Sequence, residues 1–375
     1  MQYDLAERLP AEIMDWTDEE KVAACAHFES FANYKYDEYQ QYKPGRRFLE
    51  SFVLWLRQFE TKDERRTAYE FVRDRIVFIS EAEMNHLVEL AFPMHLRPHL
   101  IKLAKRDTGY SRFHVREITN SIPYQQHRRR TLVLGMSDGA RTGQFRRVNS
   151  YDITNEHIWH AYDISTDKAE DLKQELIKDI ANLNEKADKD DLQAEPSFET
   201  IVLLDDFTAS GKTFLRKEKG KWKGKIHKVL NMLEDKNKVL GSLMCDSEIR
   251  VIVIFYVATT QAIECLKYLL KKRGFVRGEV EFHVVHCLDS EQKLTPPRDK
   301  GILGLVENDK YWDKRADDRH AKIGGTSCRK GYAGCALPVI LSHNTPNNSI
   351  FLLWAEEHRS VQGLFPRVSR HRTFG

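Results

Sequence analysis

The chain lacks any apolar run long enough to cross a bilayer. Its longest, VIVIFYV at 251–257, suits a buried strand. The N-terminal MQYDLAERLP lacks a basic stretch followed by an apolar core, so no signal peptide is expected and the cytoplasm is the expected location. Cysteine is scarce. Cys25, Cys245, Cys265, Cys287, Cys328 and Cys335 form no CxxC pair, which excludes a disulfide scaffold and fits reduced thiols. His320, Cys328, Cys335 and His343 lie near one another but without the spacing of a zinc site. Gly 19 and Pro 11 are too few for a collagen-like or low-complexity chain. A large charge excess is also missing: Lys+Arg 59 against Asp+Glu 56 leaves +3, less than a surface built wholly for nucleic acid carries.

What remains is a globular composition, 41% apolar and 31% charged over 375 residues, enough for two domains or one domain with a large arm. Residues 1–115 read as helical. FLESFVLWLRQF at 48–59 is apolar on most faces, and Ala68, Phe71, Val72 and Ile76 recur at helical spacing within 62–79. A further helical pattern at 81–104 is interrupted by Pro93 and Pro98. This region is expected to serve as a cap or as a docking surface for a protein partner.

From about residue 116 to 330 the pattern changes. Strand-like runs at 130–136, 200–206, 249–257 and 280–286 alternate with helical patterns at 166–186, 223–236 and 260–272. Leu172, Leu176, Ile180 and Leu183 share one face of the first helix. Such alternation predicts an α/β fold with a parallel sheet covered on both sides. Two connections are long and charged: 187–197, and 212–228 with eight Lys/Arg against one Glu. The remaining tail, 331–375, has scattered turn residues and one strand-like run, SIFLLW at 349–354.

The segment that carries chemistry is IVLLDDFTASGKT, 201–213. An apolar strand ends in two carboxylates, and a loop of small and hydroxyl residues follows. Parallel sheets place ligands at the carboxyl ends of their strands. Small residues admit close backbone approach to a phosphate, and a helix N-terminus after the loop would favour an anion. Paired carboxylates suit vicinal hydroxyls, or Mg²⁺ held directly or through water by Asp205 and Asp206. SGKT is no Walker A loop, because the glycine required five residues before Gly211 is replaced by Asp206.

IVLLDDFTASGKT resembles the phosphoribosyl-pyrophosphate (PRPP) loop of type I phosphoribosyltransferases. The resemblance implies a Rossmann-like parallel sheet of that form. Asp205 and Asp206 would contact the ribose hydroxyls, and Thr208, Ala209, Ser210, Gly211, Lys212 and Thr213 would cradle the 5′-phosphate. Members acting on 6-oxopurines often carry Asp where this chain has Ala209, so a base-protonating carboxylate is missing. The earlier strand runs into GMSDGARTGQFRR, 135–147. There Ser137, Asp138, Gly139, Ala140 and the guanidinium of Arg141 occupy the place of a diphosphate-gripping loop. The family's mobile lid would fall in 151–159 or 187–197.

Thr259 and Thr260 end the next strand, where they would line a pocket or cap a helix. In the tail, Asn344, Asn347 and Asn348 surround Pro346; a C-terminal hood over 331–375 would let them read a base edge, and ordinary turn bonding explains them as well. This tail is similar to phosphoribosyltransferase-like proteins of bacterial anti-phage systems. That resemblance implies a defence effector, catalytic or sensing, that takes PRPP or a nucleotide. The basic segments 127–130 and 212–228, with Arg367, Arg370, Arg372 and the stacking ring of Trp222, offer a nucleic-acid path that is not the favoured reading.

Overall fold

A computed structural model describes residues 14, 16–42, 47–161, 165–186, 196–317, 319–356 and 359–367. The chain forms two compact units, residues 85–288 and residues 1–84 with 289–375.

The first of these is the expected α/β unit. Its strands are β1 (Thr131–Gly135), β2 (Ile158–His160), β3 (Thr200–Thr208), β4 (Ile249–Thr259) and β5 (Gly278–Leu288). They form one sheet in the order β2-β1-β3-β4-β5, and every pairing is parallel. β1, β3 and β4 are apolar on both faces because helices cover both, the usual state of a central parallel strand. Leu132, Leu203, Val253 and Phe255 pack in one core with Leu172, Leu176 and Ile180 of the helix Thr166–Glu185 and Val229, Leu230 and Leu233 of Lys225–Glu234. Pro93 and Pro98 do not break the helical run, which continues from Glu81 to Thr108; the five residues Phe92–Leu96, which include Pro93, take the wider π-helical form. The three-residue β2 was not foreseen. Its first two residues fall in the 151–159 candidate for the lid, so the end of that segment is sheet, and His157 just before it is buried. Most of the other candidate, 187–195, lies outside the described residues.

The second unit gathers the two ends of the chain. Val77–Ile79 pairs in parallel with Val339–Leu341. Phe28, Phe48, Phe52, Trp55 and Phe78 share a core with Leu352, Leu353 and Phe365. The Trp55 Nε1–H donates to the Leu352 carbonyl at 2.8 Å. The units therefore divide at 84/85 and 288/289, whereas sequence patterns suggested 115/116 and 330/331. Helical pattern marks local structure and does not report which core a helix joins. The strand-like SIFLLW run is also corrected: Phe351–Trp354 is a short helix, apolar on all sides because it is buried all round. Among the described residues, no helix is long and apolar enough to cross a membrane.

Candidate functional site

In a sheet ordered β2-β1-β3-β4-β5 the chain winds one way from β1 and the other way from β3. Ligands bind in the crevice where that direction reverses, at the carboxyl ends of the strands. Both segments singled out in the sequence end there: 137–141 follows β1, and the two carboxylates close β3.

Asp205 and Asp206 are consecutive strand residues, so their side chains leave opposite faces. Asp205 is 1% exposed. Its Oδ1 accepts from the Ser137 hydroxyl and from the Asp206 N–H at 3.1 Å. Its Oδ2 accepts from Lys225 Nζ at 2.6 Å. Burial, and then the neighbouring Asp206 charge, raise the Asp205 pKa well above the carboxylate range; Lys225 and Ser137 pull in the other direction without cancelling it. Asp206 is only half-buried. Its Oδ1 accepts from the Phe207 N–H at 2.8 Å. Its carboxylate lies against Gly139, where an added Cβ would stand 2.4 Å from Oδ2. Glycine at 139 is therefore what lets the two loops touch.

Several groups hold the 137–141 loop. The Met136 N–H continues the sheet to the Leu204 carbonyl at 3.0 Å. The buried Tyr256 hydroxyl donates to the Ala140 carbonyl at 2.7 Å. Arg141 adopts a left-handed backbone, φ 49°, and its Nη1 donates to Asn85 Oδ1 at 3.1 Å. A non-glycine residue in that region costs about 1–2 kcal/mol, which the surrounding contacts must offset. Asp138 is exposed at the tip.

The 208–213 loop is held as firmly. The Thr208 hydroxyl accepts from the Gly211 N–H at 3.3 Å, and the Ser210 hydroxyl from the Lys212 N–H at 3.4 Å. Gly211 has φ +71°, and a Cβ there would meet the Ala262 carbonyl at 3.0 Å. Thr259 Oγ1 donates to the Ala209 carbonyl at 2.6 Å and accepts from the Ala262 N–H at 3.0 Å. Thr259 thus caps a helix and clamps the loop, while the Thr260 hydroxyl lies 3.5 Å from Cys287 Sγ. One expectation needs correction: no helix starts directly after the loop. A β-hairpin, Arg216–Glu218 with Lys221–Lys223, intervenes, and the helix begins only at Lys225. A Cβ on Gly224 would stand 2.3 Å from the Phe214 carbonyl oxygen, so this glycine packs the helix start against the loop and brings Lys225 to Asp205.

Sequence reasoning missed Lys225, Tyr256 and Asn85. Lys225 was read as one more charge in a basic connection, and its Gly-Lys step is shared by Lys212 and Lys221. Asn344, Asn347 and Asn348 belong to the other unit. There the Asn344 N–H donates to the Leu341 carbonyl, and the Asn347 carbonyl accepts from the Tyr332 N–H. Asn348 Nδ2 donates to the Tyr332 carbonyl at 3.2 Å. The 127–130 basic run is paired with acids. Arg128 meets Asp152, Arg129 meets Asp179, Arg130 meets Glu199 and His127 meets Asp107. That run is spent inside the unit and is no open path. In 212–228, Glu218 pairs with Arg216 and Lys223, and Trp222 packs against the core. Arg370 and Arg372 lie outside the described residues.

Magnesium at Asp205 does not fit this geometry, because both oxygens already accept hydrogen bonds, one of them from an ammonium group. Among the described residues no group of three or more His, Cys, Asp or Glu is placed to hold a metal.

A family model described as PRTase-CE matches residues 53–367. The chain belongs to the PRTase-CE family. It is a phosphoribosyltransferase-type family, and the matched span includes both loops and the whole sheet. No curated protein and no solved structure matched the chain.

Proposed function

We propose that this PRTase-CE protein binds PRPP or a ribose 5-phosphate nucleotide and makes or breaks an N-glycosidic bond. The observation that carries the reading is the contact of Asp206 with Gly139 at the switch point of the sheet, which sets a ribose-type carboxylate against a diphosphate-type loop. The 5′-phosphate would lie on 208–213, the ribose hydroxyls at the acidic end of β3, and the diphosphate on 137–140 with Arg141. In the forward direction an acceptor nitrogen lone pair forms the bond to C1 while the C1–O bond breaks. The electron pair leaves with the diphosphate, and the acceptor proton passes to solvent or to that diphosphate. Positive charge builds on the ribose ring, and Asp206 beside it stabilises that charge. In reverse, diphosphate attacks C1 while the C1–N bond breaks, its electron pair leaves with the base and the base nitrogen takes a proton from solvent; with water as the attacking group the same cleavage is hydrolysis, and the water supplies that proton. Mg²⁺ would enter with the diphosphate and neutralise it. We assign the protein to bacterial anti-phage defence in the cytoplasm, with its helical region docking a partner; the similarity of the tail and the chain's size support this.

A sensing role without catalysis is favoured by one observation. Ala209 is buried and apolar where 6-oxopurine enzymes carry a carboxylate. Calorimetric titration of PRPP, with and without Mg²⁺, tests the site. Micromolar binding that disappears in Asp206→Asn supports it, and no binding under any condition overturns it. Screening nucleobases and nucleotides for turnover then separates enzyme from sensor.

A further inference from the structure

Lys225 sits where a helix disfavours it. It is the first residue of Lys225–Glu234, and a cation there opposes the positive end of the helix dipole. The preceding Gly224 supplies no side-chain cap. A specific partner must offset this, and that partner is the buried Asp205. Asp205 in turn joins three segments: Ser137 after β1, Asp206 in β3 and Lys225 on the helix. All of these bonds come from within the protein, and the residue is 1% exposed. Asp206, next to it, is half-buried and reaches the Gly139 loop.

We propose that the two carboxylates divide the work. Asp205 is a positioning residue, tied by Lys225, which stands where a divalent cation would otherwise sit. Asp206 alone meets the ribose. This rests on the PRPP-site reading above, and its test separates the two. The structure also explains why magnesium does not fit at Asp205: the ammonium of Lys225 already supplies the positive charge there.

The test uses Asp205→Asn, Lys225→Met, the double variant, Lys225→Arg, Lys225→Ala and Asp206→Asn in the full chain. Lys225→Met should lower the melting temperature, because the buried Asp205 carboxylate loses its partner, whereas Asp205→Asn leaves a lysine whose side chain is 24% exposed and should lower it less. The double variant should lose less than the sum of the two, and Lys225→Arg should recover part of the loss. For PRPP, Asp206→Asn should fall by about 30-fold or more, the scale of a lost charged hydrogen bond, and the double variant should fall by about 10-fold less than that. Lys225→Ala opens the site, so Mn²⁺ should raise its melting temperature and leave that of wild type unchanged. Additive melts overturn the proposal. So does a folded double variant that loses PRPP as Asp206→Asn does, or a wild type that responds to Mn²⁺ as Lys225→Ala does. If wild type ignores PRPP altogether, the ligand reading fails while the melts and the Mn²⁺ response still decide the tie.

Discussion

Gly139→Ala tests the contact on which the site depends. Gly139 carries no positive φ, so alanine brings no backbone strain, and the destabilising effect is that of the new methyl group. That methyl would stand 2.4 Å from Asp206 Oδ2, 2.7 Å from Cγ and 3.1 Å from Oδ1. Ordinary contact begins near 3.4 Å, so the carboxylate must retreat by about 1 Å. Asp206 is short and its Oδ1 receives the Phe207 N–H, so it cannot retreat without leaving its place. Overpacking of this kind costs about 1–3 kcal/mol of stability. A charged hydrogen bond to a ribose hydroxyl is worth about 1.5–3 kcal/mol, which predicts a loss of about 10- to 100-fold in PRPP affinity. Gly143→Ala is the control. Nothing lies within 4 Å of its added Cβ, and it sits in the helix Thr142–Val148. It should be neutral or stabilise by about 0.5–1 kcal/mol and leave binding unchanged. Urea melts and PRPP titrations of both variants decide the matter. A Gly139→Ala protein with wild-type melt and wild-type affinity refutes the reasoning.

Tyr256→Phe leaves the Ala140 carbonyl without its buried donor; chemical denaturation should show a loss of about 1–2 kcal/mol, with weaker binding of a free diphosphate probe. Thr259→Val removes both the helix cap and the clamp on Ala209, and the same assay should read a loss of about 1–2 kcal/mol. His157 is pushed down to about 3, first by burial and then by Arg129 and Arg128, and His99 to about 4, first by burial and then by Arg250. Both stay neutral when folded, so their contribution is full above about pH 6.5 and is lost as pH falls from there toward 4, by up to about 1.4 kcal/mol per pH unit for each. Stability measured against pH should flatten over that window in His157→Gln. Asp205 works the other way. Its raised pKa means the folded chain holds a proton the unfolded chain releases, so its contribution is present at acid pH and is lost as pH rises above the ordinary carboxylate range. Asp205→Asn should remove that slope.

The α/β unit was legible in the sequence because its signals are local. Each central strand is a short apolar run, and the first helix shows its buried face as Leu172, Leu176 and Ile180. The acidic strand end and the small-residue loop after it were legible for the same reason. What escaped depends on contacts between distant residues. Val77–Ile79 becomes a strand only because Val339–Leu341 comes to pair with it, and no pattern near residue 77 announces a partner more than 250 residues away. SIFLLW has a strand's composition and a helix's conformation, since full burial erases the periodicity that would separate the two.

Lys225 shows the same limit inside the site. Composition places it among eight cations in 212–228, where each lysine looks alike. The structure separates them by what faces each one. Lys223 meets the surface carboxylate of Glu218, whereas Lys225 meets a carboxylate at 1% exposure. The first pair sits in water, where solvent and salt screen it. In the second the carboxylate is shielded from solvent, so removing Lys225 leaves it buried without that partner. A charge count therefore records the number of cations and misses the one that matters. Glycine also precedes Lys212 and Lys221, so what singles out Lys225 is the close approach of Gly224 to the Phe214 backbone, which brings the helix against the phosphate loop and the lysine against Asp205.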